Sequence, residues 1–166
     1  MSFLDSADED PKRASRRPLL FFVLVTSAVG ASASAFTEPN IATWYAGLVH
    51  PSFAPPNWLF APVWTTLYVL MAIAAWRVWR IAGTKSPEMA AYVLQLIFNF
   101  AWSGIFFAAH QIGLALIELC VLLALVLATT ILFWRRDWLA GLLFLPYLAW
   151  TSFATALNYA FWSLNP

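Results

Sequence analysis

Five stretches of the chain, roughly residues 18–37, 58–76, 89–109, 112–134 and 138–163, are almost free of charge. Each holds about 19 residues or more, enough for a helix to cross roughly 30 Å of hydrocarbon. Glu118 is the one formal charge inside any of them. Continuous apolar runs of this length lack the alternation that a barrel wall needs. The sequence therefore reads as all-α: an integral membrane bundle of five transmembrane helices forming one domain over residues 18–166, with no internal repeat. Composition agrees. Of 166 residues, 62% are hydrophobic and 10% charged, whereas soluble domains sit nearer half and a quarter.

The basic residues set an expected orientation. Lys12, Arg13, Arg16 and Arg17 precede the first helix; Arg77, Arg80 and Lys85 follow the second; Arg135 and Arg136 follow the fourth. Five crossings put all nine on one side, so the N-terminus is expected in the cytoplasm and the C-terminus outside. A helical bundle with this asymmetry fits a bacterial cytoplasmic membrane, with membrane lipid as its surroundings. Residues 1–17 read as a polar, mobile tail. The run SRRPLLFF followed by ASASA resembles a signal peptide with a small-residue cleavage site, yet it is expected to stay in place as the first helix. A net charge of +1 gives no reason to expect a nucleic-acid partner.

Neither HExxH, CxxC, a P-loop nor GxSxG occurs, and the chain has two histidines and one cysteine. No metal site, obligatory cofactor or nucleophilic hydrolase is expected. Cys120 reads as a small buried hydrophobe. Small residues four apart, Gly30/Ser34, Gly104/Ala108 and Ala156/Ala160, allow close helix approach in a tight monomer or a dimer.

The first loop, about residues 38–57, is the one long connection. Ile41 to Val49 has the pattern for one or two helical turns. Pro51, Pro55 and Pro56 then force an extended path. Such a stiff, aromatic loop suits a cover at the membrane surface, and it also suits a plain connector. Pro62 falls where the second helix begins, a position at which a missing N–H costs little.

Seven of the ten tryptophans, Trp44, Trp58, Trp76, Trp79, Trp134, Trp138 and Trp162, lie near expected water interfaces, where an aromatic belt is the default. Trp64, Trp102 and Trp150 lie deeper, where an indole N–H needs a partner. Asn99, Trp102 and Ser103 share a face of the third helix, Trp64 and Tyr68 a face of the second, and Trp150, Ala154 and Leu157 a face of the fifth, with Asn158 next to it. Two readings stay open. These groups line a pocket, or they bond helix to helix at about 0.6 to 2 kcal/mol each. Pro146 is positioned to bend the fifth helix. Glu118 is expected to play a structural part, with His110 and Gln111 near enough to bond it.

The segments WYAGLVHPSFAPPNWLFAPVWTTLYVLMAIAAWRVWR, LIFNFAWSGIFFAAHQIGLALIEL and LLFLPYLAWTSFATALNYAFW resemble the tryptophan-rich sensory protein and mitochondrial translocator protein family over about residues 20–163. The resemblance implies a five-helix bundle, a homodimer, and a pocket beneath the first loop that takes a porphyrin such as protoporphyrin IX or another flat hydrophobic ligand. The positions it carries over are Tyr45, Trp64, Tyr68, Asn99, Ser103, Trp150, Ala154 and Leu157. Trp58 of the proline motif, with Trp102 and Asn158 of the polar faces, completes the candidate ligand-binding set. The function implied is sensory or regulatory, linked to oxygen- and light-dependent control of pigment synthesis and to porphyrin transport. Alternatives are light-dependent porphyrin degradation, with Trp64 and Trp150 as the reactive indoles, and lipid or sterol carriage. Phe53 stands where many members have Trp, and Leu114 where animal members do. Ser163 replaces the basic residue that ends the animal sterol segment, which counts against sterols.

Overall fold

A computed structural model describes residues 17–166, and the expected tail lies outside the described residues except for Arg17. Five helices cross the length of the molecule: α1 (Arg17–Ile41), α2 (Phe60–Ala82), α3 (Pro87–Ser103), α4 (Ile112–Arg136) and α5 (Trp138–Leu164). Each is long and apolar enough to span a membrane. Contacts run α1–α2, α2–α5, α5–α4, α4–α3 and α3–α1, which closes the helices into a ring in that order.

Apolar side chains cover the outside of the bundle as well as filling its core, and a minority of polar ones are buried. Leu24 is 60% exposed, while Thr26, two residues on, is 0% exposed and bonds the Tyr92 hydroxyl. Leu20, Phe21, Ile97, Ile117 and Ile131 point outward on other faces. Gln95, Asn99, Thr129, Thr151 and Asn158 point inward. Lipid is as apolar as leucine, so packing and interhelical hydrogen bonds, rather than expulsion from water, hold such helices together. Hydroxyls that have no cross-helix partner bond back to their own helix, as Thr130 does to the Val126 carbonyl at 2.7 Å and Thr151 to the Tyr147 carbonyl at 2.8 Å.

Helix ends depart from the charge-free windows for physical reasons. α1 runs on to Ile41 through Pro39, four residues beyond the expected end at 37. Side chains close its last turn: Asn40 Nδ2 donates to the Phe36 carbonyl at 2.9 Å and Thr43 to the Pro39 carbonyl at 3.0 Å. α2 passes Arg77 and Arg80 and stops at Gly83, whose φ of 75° suits glycine and whose N–H reaches the Trp79 carbonyl. α3 starts with Ser86 as its N-cap and Pro87 at its first position, and α5 with Asp137 as its N-cap. Asp137 also pairs with Arg77 at 2.8 Å, while Glu88 pairs with Arg136 at 2.9 Å. These two ion pairs tie α2, α3, α4 and α5 together at the basic end.

α5 is one continuous helix with Pro146 inside it. Two further expectations change. Cys120 is exposed on the outer face of α4 instead of buried, because Leu119 and Leu122 take the inward positions. The third helix does not end as a simple α-helix: Gly104–Ala108 forms a π turn, closed by the Ala109 N–H on the Gly104 carbonyl at 2.9 Å. His110 then takes a φ of 56°, turning the chain toward the first loop.

Candidate ligand-binding site

Trp64 is where the sequence-predicted residues converge. Tyr68 lies one turn along α2, and the two rings stack with centroids 5.4 Å apart at 28°. Across the interface α5 presents Tyr147 at 6.2 Å and Trp150 at 6.5 Å, both edge-on to Trp64. Phe60 meets Trp150 at 5.8 Å, Trp150 meets Phe153 at 5.5 Å, and Phe153 meets Phe53 of the loop at 6.3 Å. Aromatic rings thus run continuously from the first loop to the middle of the bundle along the α2–α5 seam. Trp64 and Trp150 are half-buried, and among the described residues neither indole N–H has a hydrogen-bond partner.

The amides sit behind this wall and are engaged by it. Tyr68 donates its hydroxyl to Asn99 Oδ1 at 2.7 Å, and Asn99 Nδ2 donates to the Tyr147 hydroxyl oxygen at 3.0 Å. One side chain on α3 therefore fixes phenols on α2 and α5. Nearer the loop end of the ring, the Trp102 indole N–H donates to Asn158 Oδ1 at 3.1 Å, and Asn158 Nδ2 donates to the Ile112 carbonyl at 3.0 Å. Of the two readings open on the sequence, helix-to-helix bonding describes Asn99, Trp102 and Asn158. The rings of Trp64 and Trp150 remain the surface with unused N–H groups.

Tyr45 and Leu157 belong to a second cluster under the loop, with Phe106, Phe107, Ile112, Ala115 and Phe161. Tyr45 is buried and its ring lies 5.8 Å from Phe107 and 5.3 Å from Phe161, so it plugs the loop into the bundle. Ala154 packs on the deeper cluster around Tyr68 and Tyr147, Trp102 touches both clusters, and Ser103 is buried at the end of α3. Trp58 is not brought to the others. It is 72% exposed and lines, with Leu59, Pro62, Val63, Thr66 and Leu67, a groove of about 410 Å³ on the outside of α2.

The first loop makes the expected helical turn at Tyr45–Gly47 and then runs across the bundle end. Besides Tyr45, it is held by Asn165, which the sequence did not flag, and by a contact of His110 that the sequence did not show. Asn165 Oδ1 accepts from the Val49 N–H at 2.8 Å, and its Nδ2 donates to the Val49 carbonyl at 3.1 Å and the Phe161 carbonyl at 2.9 Å. His110 stacks on Trp44 at 4.3 Å and 13° and bonds Asn40 at 3.1 Å. That corrects the expectation that His110 reaches Glu118; the left-handed turn at His110 carries it toward the loop. Gln111 does not bond Glu118 either, whose carboxyl oxygens are buried without a partner. Tyr147, fully buried at the centre of the wall, was also missed, although it stands three residues before Trp150 and seven before Ala154 on the same face. Among the described residues no three His, Cys, Asp or Glu side chains gather to hold a metal ion.

Residues 22–163 match the TspO/MBR family. The chain is 41% identical to the protein CrtK of Rhodobacter capsulatus over 150 residues, covering 89% of this chain and 91% of that one. It is 39% identical to the human translocator protein over 152 residues, covering 89% and 90%. It is 39% identical to the tryptophan-rich sensory protein of Cereibacter sphaeroides over 146 residues, covering 87% and 90%. With five spanning helices and a match across nearly all of them, the chain is an integral membrane protein and belongs to the TspO/MBR family.

Proposed function

We propose that the protein binds a tetrapyrrole such as protoporphyrin IX against the Trp64–Trp150 wall and acts as a sensory or regulatory protein of the membrane. The observation that carries this reading is the Trp64 ring itself. It is stacked on Tyr68, met edge-on by Trp150, half-buried, and without a partner for its N–H among the described residues. A flat apolar ligand gains from such a surface through ring stacking, and a free indole donor gives it orientation. The relatives named as a sensory protein and as translocator proteins support a sensing role and the passage of a ligand. A sensing role requires that the ligand favour one of two conformations. The basic helix ends fit the cytoplasmic face of a bacterial inner membrane.

A second reading rests on the Trp64–Trp150 pair. Two indoles at 6.5 Å beside a photosensitising ligand suit light-driven, oxygen-dependent breakdown of that ligand.

One experiment separates these. Protoporphyrin IX is titrated into the detergent-solubilised protein in the dark with tryptophan fluorescence as readout, and the complex is then illuminated in air. Saturable quenching weakened in Trp64→Phe and Trp150→Phe supports the wall as the site. Porphyrin loss that needs both indoles moves the chain to the enzymatic reading. No saturable quenching at micromolar porphyrin removes the tetrapyrrole assignment.

A further inference from the structure

Glu118 lies on the buried face of α4, three residues after Ala115, one before Leu119 and four before Leu122, all nearly inaccessible. It is 9% exposed, and neither carboxyl oxygen has a hydrogen-bond partner among the described residues. Ala115 belongs to the cluster under the loop that holds Tyr45 and Leu157. Leu119 belongs to the cluster that holds Tyr68 and Tyr147, on which Trp64 and Trp150 pack. Glu118 therefore stands at the seam between the two halves of the candidate site.

Three polar side chains that could have bonded it are engaged elsewhere. Asn99 spends its amide on Tyr68 and Tyr147, Asn158 on Trp102 and Ile112, and His110 is turned to Asn40. A carboxyl group at membrane depth is costly when it bonds nothing, and such groups in membrane helices mark ligand or ion paths. Two oxygens on one carbon match a second planar group that offers an acceptor and a donor side by side. A carboxylic acid on the ligand meets both when each group is protonated, each O–H donating to the carbonyl oxygen of the other.

We propose that Glu118 is the specificity-determining residue of the site and bonds a carboxyl group carried by the ligand. The identity of the ligand rests on the tetrapyrrole reading, since protoporphyrin IX carries carboxyl groups; the recognition of a carboxyl group stands on Glu118 itself.

The test compares protoporphyrin IX with its dimethyl ester, which keeps the ring and loses the acids. The wild-type protein is expected to bind the acid about tenfold more tightly, one unmatched buried hydrogen bond being of that order. Glu118→Gln, which keeps an acceptor and a donor, is expected to retain the preference. Glu118→Met is expected to abolish it while melting no lower than wild type, because it removes an unpartnered polar group. Equal binding of acid and ester by the wild type, or an undiminished preference in Glu118→Met, overturns the proposal. Infrared difference spectra add a readout on the native side chain. The Glu118 C=O band, identified by its absence in Glu118→Gln, is expected to shift with the acid and not with the ester, and an unmoved band overturns the proposal. If neither porphyrin saturates, the tetrapyrrole reading fails by itself. Oleic acid and methyl oleate then take the same comparison, with a preference lost in Glu118→Met expected and no preference overturning it.

Discussion

The Tyr68 hydroxyl donates to Asn99 Oδ1 at 2.7 Å, and this bond fixes the ring on which Trp64 is stacked. Since Asn99 also donates to Tyr147, replacing it strands two phenols at once. Asn99→Leu is expected to cost about 1–3 kcal/mol, and Tyr68→Phe less, about 0.6 kcal/mol, because it strands only one side of the amide. Unfolding of the detergent-solubilised variants by increasing denaturing detergent checks the order. Equal losses would show that the two phenols are not held through the one amide.

Gly30 sets how closely α1 approaches α2. A Cβ there would strike the Tyr68 ring at Cε2, Cδ2 and Cζ. Gly30→Ala is expected to destabilise by about 1–3 kcal/mol, as overpacking does, and to change the fluorescence of Trp64 by shifting its neighbour. In a Tyr68→Ala background the same change should cost almost nothing. A full cost in both backgrounds would place the clash elsewhere.

Asn165 acts as a clasp between the last helix and the first loop. Asn165→Ala removes both bonds to Val49, and hydrogen exchange at the Val49 amide should accelerate about tenfold while exchange at the α4 core is unchanged. An unchanged Val49 rate would mean that Tyr45 alone seats the loop.

Tyr45, in the loop outside the spanning helices, is buried, and burial pushes its phenol above the ordinary value of 10. A raised folded-state pKa favours the neutral form. Its contribution is complete below about pH 10 and is lost as pH climbs through the raised value. Proteolytic susceptibility of the loop should therefore rise above about pH 10 in the wild type, in step with phenolate absorbance. In Tyr45→Phe this pH-dependent step should be absent.

The helices were legible because lipid imposes a simple rule: a charge-free run of sufficient length must hydrogen-bond itself. The ends were less so. Charge marked the windows, but Gly83, Asp137 and the side-chain bonds of Asn40 and Thr43 are what end helices. Trp64, Tyr68 and Trp150 showed through their spacing and the family motif, and they do meet. Asn99 and Asn158 showed as polar groups at depth, but period alone does not say whether an amide faces a cavity or another helix. Tyr147 hid as one more aromatic in an aromatic helix. Asn165 and His110 hid because their partners, Val49 and Asn40, are 116 and 70 residues away in the chain.

The closed ring has a consequence for how the protein is made. α2 meets α5 across the whole intervening chain, and the bonds Asn99–Tyr147 and Trp102–Asn158 both wait for that last helix. During synthesis, four helices stand in the membrane with Trp64 facing an open side. A chain released after Asp137 would carry four spans and half an aromatic wall. Arrival of α5 thus completes the aromatic wall and, through Asn165 at its far end, fastens the loop above it in the same event.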